Sequence, residues 1–262
     1  MTERATIAVT REGNGPEVLF VHGGAGPRAT WRGLEGLSAR WTLAFAHRRG
    51  FPPSPPPPRG RQDFEIDAHD LAPLLDARPH IVAHSYGALG SLIAAARRPG
   101  LVRSLTLIEP ALFLPADDPE VVRFRRMGEE CLAHGLDAEP ETLREFLKIA
   151  GVSSVADNRP LPEEVARGVR RALGGRPPSE AEPPLEELRD AGVPALVVSG
   201  DHHPAVERMC DATASALNAQ RLIAPGAGHF VAAAPGFAEQ LERFLAAPRP
   251  TAQGPPTSRS SR

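Results

Sequence analysis

Residues 80–91 read HIVAHSYGALGS. The apolar run Ile81-Val82-Ala83 stops at Ser85, and a small-residue segment, Gly87 to Ala94, follows at once. The pattern predicts a buried strand that turns straight into a helix. A turn that tight needs small residues on either side of the serine. Here they are Ala83 and Gly87, a variant of G-x-S-x-G with alanine first. Such a nucleophile elbow lifts the serine hydroxyl above the sheet edge. It points the Tyr86 N–H into the same space, with the positive end of the helix dipole behind it. The competing reading is a strand-to-helix turn in which Ser85 merely caps the helix. The other strand ends must decide.

Upstream, residues 4–10 alternate and predict a first strand. Glu17 to Val21 is a continuous apolar run, the kind buried on both faces of a parallel sheet, and it leads into His22-Gly23-Gly24-Ala25-Gly26. A helix is expected over 31–40 and a strand over 41–45, which leads to Arg48-Arg49-Gly50. Residues 51–60, FPPSPPPPRG, are barred from helix and central strand and predict a stiff, extended surface loop. An amphipathic helix is expected over 63–75, with Pro73 ending or bending it.

Downstream of the elbow, 102–108 predicts a strand that ends at Glu109-Pro110. No strand pattern follows over 111–187. Helices are expected instead over 119–134, 140–150 and 162–173, their prolines suited to first-turn positions, with a loop over 174–184. Strand character returns at 194–199, before Gly200-Asp201-His202-His203. A helix over 205–217, a short strand over 220–224, the run Gly226-Ala227-Gly228-His229 and a last helix over 235–246 complete the pattern.

Alternating strands and helices argue for an α/β fold with a doubly wound, mostly parallel sheet, whose active site lies at the carboxyl ends of the strands. The expected organisation is a core of residues 1–110 and 188–247, a helical insertion over 111–187, and a polar, disordered tail over 248–262. The chain has 30 basic and 32 acidic residues, and the basic ones are scattered rather than striped, so no polyanion partner such as nucleic acid is expected. Cys131 and Cys210 are read as buried thiols, with no disulfide framework and no metal motif. The N-terminus has no apolar targeting core and no segment is long enough to span a membrane, so a soluble cytoplasmic protein is expected. The oligomeric state is left open.

In this order, HGGAG after an early strand, AHSYG at the elbow and PGAGH before the last helix resemble the α/β-hydrolase superfamily over residues 4–247. The resemblance implies that 111–187 is a lid, that Ser85 is the nucleophile and that His229 is its base. It also implies an oxyanion hole from the N–H groups of Tyr86 and Gly24, with His22 as a structural hydrogen-bonding residue. The family's usual acid lies three residues after the glycine that closes the strand over 194–199, but His203 stands there. Glu109, 24 residues after Ser85, ends the next strand, where a minority of members such as some haloalkane dehalogenases carry the acid, and it is favoured. Asp201 is the alternative.

A serine elbow argues against epoxide hydrolase and haloalkane dehalogenase chemistry, which needs a carboxylate nucleophile. The expected function is therefore a serine hydrolase that cleaves a small or medium acyl substrate, an ester or lactone, through an acyl-enzyme and without cofactor or metal. A non-hydrolytic member, either a ligand-binding receptor or a lyase- or cyclase-type enzyme, is the second reading, because the usual acid position is vacant. Asp201-His202-His203 lacks a third spaced ligand and is read as a solvated loop. Arg48 and Arg49 are read as surface residues or structural pairs in preference to substrate-carboxylate ligands.

Overall fold

Each central strand sends alternate side chains to opposite faces, and this splits the core in two. Leu19, Val21, Ile81, Ala83, Leu105, Leu107, Ala195 and Val197 face one layer of helices, while Val18, Phe20, Val82, Ile108, Leu196 and Val198 face the other. The computed structural model describes residues 6–152 and 160–248. Its seven strands are β1 (Val9–Glu12), β2 (Glu17–Val21), β3 (Thr42–Ala46), β4 (His80–His84), β5 (Ser104–Ile108), β6 (Ala195–Ser199) and β7 (Gln220–Ile223), in the spatial order β1-β3-β2-β4-β5-β6-β7. Only β1 runs antiparallel, paired with β3. The strand ends that bear the predicted chemistry are therefore neighbours on β4, β5 and β6.

The helices are α1 (Pro27–Thr30), α2 (Phe64–Leu71), α3 (Gly87–Arg97), α4 (Pro119–His134), α5 (Pro140–Ile149), α6 (Glu163–Ala172), α7 (Leu185–Asp190), α8 (Pro204–Leu217) and α9 (Phe237–Leu245). Among the described residues, everything regular between β5 and β6 is helical, as the sequence pattern predicts. α7 lies across the expected boundary at 187/188 and buries Leu185 and Leu188 in the central core. No described helix is long and apolar enough to cross a membrane. Cys131 and Cys210 are free and buried.

Four local expectations differ from what is observed. The first strand covers Val9–Glu12 instead of 4–10, because its register is set by pairing with β3, Val9 opposite Ala46; residues 4 and 5 lie outside the described part. The helix expected over 31–40 is replaced by the single turn of α1 and a 3-10 segment, Glu35–Ala39, with Gly33 at φ 94° between them. The proline-rich stretch is not extended. It closes on itself through Gly50 N–H to Pro55 O (2.9 Å), and Ser54 Oγ donates to His47 O (2.5 Å). Residues 63–75 form α2 only as far as Leu71 and then tighten to 3-10 over Ala72–Ala77, with Pro73 in its first turn. The expected tail beyond residue 248 lies outside the described residues.

α3 sits close against α2 because Gly90 has no side chain. A Cβ there would fall 2.7 Å from Asp67 Cβ and 3.0 Å from the Phe64 carbonyl oxygen. Gly90→Val should therefore lower the unfolding free energy by about 1–3 kcal/mol through overpacking. The check is urea denaturation, with a lower midpoint expected at an unchanged slope.

Candidate active site

β4 ends at His84, Ser85 adopts φ 51°, and α3 begins at Gly87. A non-glycine residue in the left-handed region is uncommon and clusters at functional turns. The turn is tight enough that a Cβ on Gly87 would lie 2.3 Å from the His22 carbonyl oxygen. Ser85 is stitched to the neighbouring strand on both sides. Its N–H donates to Ile108 O (3.0 Å), and its carbonyl accepts from Ala111 N–H (3.3 Å). Tyr86 precedes the first turn of α3, where backbone N–H groups lack intrahelical partners.

The loop after β2 lies alongside. A Cβ on Gly23 would fall 2.8 Å from Ser85 Cβ, whereas one on Gly24 would meet nothing within 4 Å. Gly23 is thus the glycine that packing demands, and Gly24 borders open space. His22 is fully buried and spent on structure. Its Nδ1–H donates to Gly23 O (2.9 Å), and its Nε2 accepts from Arg48 N–H (3.1 Å). Burial, then the charge of Arg48, keeps its pKa well below the usual histidine range. The Arg48 guanidinium is buried on Asp67 (2.7 Å) and also donates to Gln62 and Gly23 O. Arg49 pairs with Asp70 (2.5 Å). Both arginines are structural pairs.

Glu109 has φ 44° at the end of β5 and is 3% exposed. Its Oε2 accepts from His229 Nδ1 at 2.6 Å and its Oε1 from Gly200 N–H at 2.8 Å. His202 Nδ1 lies 3.2 Å from Oε1, inside ion-pair range but off the line of a straight hydrogen bond. Burial pushes the carboxyl pKa up, but the two imidazoles of His202 and His229 outweigh it and hold the value at about 2. Asp201 is exposed at φ 53°, and its N–H donates to Glu207 Oε1 (3.1 Å). His203 instead caps α8 through Nδ1, which accepts from Ala205 N–H (3.2 Å).

His229 reaches Glu109 because the loops after β6 and β7 touch. Gly228 N–H donates to Gly200 O (3.2 Å), and a Cβ on Gly200 would fall 1.9 Å from Gly228 O. From the other side, Gly151, just past α5, packs on His229 so closely that its Cβ would lie 2.9 Å from that of His229. Ser85 and His229 make no direct hydrogen bond among the described residues. They are linked through His84, whose Nε2–H donates to His229 O (2.9 Å) and whose ring lies 4.4 Å from the His229 ring.

Sequence reasoning missed His84 and His202. His84 looks like any polar residue in an apolar strand, and only the fold brings the loop after β7 against it. His202 sits in a run read as a solvated loop. Its one signal is its position just beyond a strand end. Glu109, His202 and His229 are the one group of described donors close enough to share a cation, their atoms lying within 4.8 Å. Both Nδ1 atoms face the carboxylate, so the group forms an ion-pair cluster in which His229 Nδ1 is hydrogen-bonded and His202 Nδ1 is not.

Residues 18–241 match the model of the alpha/beta hydrolase family. A 2-(acetamidomethylene)succinate hydrolase of Mesorhizobium japonicum is 29% identical over 252 residues, 87% of this chain and 86% of the relative. A pimeloyl-(acyl-carrier protein) methyl ester esterase of Methylococcus capsulatus is 32% identical over 182 residues, 66% of each chain. Among solved structures, naproxen esterase (carboxylesterase NP) from Bacillus subtilis shares the fold with a TM-score of 0.65 at 20% identity, covering 92% of this chain and 88% of that one.

His84 is buried and neutral. Burial first, then the neighbouring His229, lowers its pKa to about 3 from 6.5. The unfolded chain therefore binds this proton more readily than the folded one, and stability falls as the pH drops from 6.5 towards 3. The contribution is about 1.4 kcal/mol per pH unit. Urea unfolding between pH 6.5 and 4.5, above the range where Glu109 adds its own loss, should give a slope shallower by about that amount in His84→Phe than in the wild type.

Proposed function

The chain belongs to the alpha/beta hydrolase family, and we propose that it is a serine hydrolase that cleaves an ester-type bond through an acyl-enzyme. The observation that carries this reading is the 2.6 Å bond from His229 Nδ1 to a buried carboxylate, beside a serine on a strained strand-to-helix turn. The named relatives, a hydrolase and a methyl ester esterase, agree with it.

A neutral serine hydroxyl is a poor nucleophile and needs a base. With Nδ1–H donated to Glu109, His229 presents an unprotonated Nε2 as that base. Such bonds to the nucleophile are often long in the free enzyme and tighten with substrate. In the proposed cycle Ser85 Oγ attacks the acyl carbon as His229 takes its proton. The oxyanion is held by the N–H groups of Tyr86 and Gly24, and His229 returns the proton to the leaving group. Water then repeats the sequence to release the acid. Glu109 fixes the His229 tautomer and stabilises its charged form without itself being protonated. A small or medium acyl ester or lactone is the proposed substrate. The helices between β5 and β6 serve as a lid, with Gly151 bringing α5 onto the base.

Fluorophosphonate labelling should mark the wild type at Ser85 and vanish in Ser85→Ala. Nitrophenyl ester turnover should fall by roughly 10⁴ in Glu109→Gln and by no more than a few-fold in Asp201→Asn. Undiminished labelling of Ser85→Ala would remove the nucleophile assignment, and the reverse order of the two acid variants would move the acid to Asp201.

A further inference from the structure

His202 plays no part in the cycle above, yet it is half-buried against the carboxylate that the cycle depends on. Its Nε2 lies 3.0 Å from the Ile149 carbonyl at the end of α5. A carbonyl only accepts, so Nε2 carries a proton in every state of the ring. The tautomer is thereby fixed, and Nδ1 is left facing Glu109 Oε1 at 3.2 Å. In the neutral ring that contact sets a lone pair against a carboxylate oxygen. Protonation of Nδ1 turns it into an attraction.

The surroundings agree with a cation. Glu109 faces the ring from β5, Glu207 adds negative charge from α8, and α5 presents the carbonyl end of its dipole. Against these stand the neighbouring His203 and the His229 ring 6.2 Å away. Burial opposes the charge, but the pull of Glu109 outweighs it and the pKa is raised.

We propose that His202 is a positioning residue that, as an imidazolium bridging the Ile149 carbonyl and Glu109 Oε1, holds the carboxylate for His229 and ties α5 to the acid. The consequence is electrostatic as well as geometric. One carboxylate charge serves two imidazoles, so a proton on His229 is stabilised less than it would be by Glu109 alone. As the pH rises through the His202 pKa, the bridge loses its proton and its attraction, and the end of α5 is released.

The kinetic part rests on the hydrolase reading, whereas the protonation state does not. ¹⁵N NMR of histidine-labelled wild-type protein at pH 6.5 should show the His202 ring, identified by its loss in His202→Gln, mostly protonated at both nitrogens and reverting to neutral in Glu109→Gln. A neutral Nε2–H ring in the wild type at that pH would overturn the proposal, whether or not the variants fold. In nitrophenyl ester hydrolysis the acid limb of kcat/KM for His202→Gln should move to higher pH, on the order of half a unit. A limb that superimposes on the wild type's overturns the proposal even if turnover depends on Ser85. Turnover indifferent to Ser85→Ala instead sinks the hydrolase reading, and the NMR result still decides the state of His202.

Discussion

One buried negative charge organises the carboxyl edge of this sheet. A carboxylate as enclosed as Glu109 persists only if donors replace the water it has lost. Two loops supply them: the one between β6 and α8, with Gly200 N–H and His202, and the one after β7, with His229. The desolvation cost is offset only while both loops stay where they are, so the charge acts as a clamp on the geometry around it. The same clamp gives His229 the tautomer that the proposed reaction needs.

The backbone shows how three loops fit round one point. Ser85 and Glu109 directly follow the adjacent parallel strands β4 and β5, Asp201 comes two residues after β6, and each takes a positive φ. β4 and β5 therefore break direction at the same level of the sheet, and β6 two residues later. Glycines then let the loops meet: Gly23 against Ser85, Gly87 against the β2 loop, and Gly200 against Gly228. The close approaches are made by backbone, which leaves the crevice itself to side chains.

Much of this was legible in the chain. Val21-His22-Gly23 and Ala83-His84-Ser85 announce a buried strand running into a turn, because apolar runs and small residues respond to local sterics. Glu109 was legible for the same reason, as a polar residue ending an apolar strand. What was not legible depends on long-range contact. His84 and His202 gain their meaning only when the loop after β7 and the end of α5 arrive, 145 and 53 residues away in sequence. Short-range turns misled in the other direction. Six prolines between 52 and 60 would suggest an extended run only if no hydrogen bond could close it, yet Gly50 and Ser54 supply two such bonds.

The contact of Gly151 with His229 bears on modularity. The helices between β5 and β6 look exchangeable, since they enter and leave the core at two points, and grafting such a block is an obvious route to altered selectivity. Here the block also touches the base through a residue at φ 81° that has no room for a Cβ. A transplanted block would have to reproduce that backbone bend as well as the entry and exit points. The end of α5 therefore behaves as a piece of the core, as does α4, whose Val121 packs on Ala205 and Met209 of α8 and whose Met127 joins the central cluster.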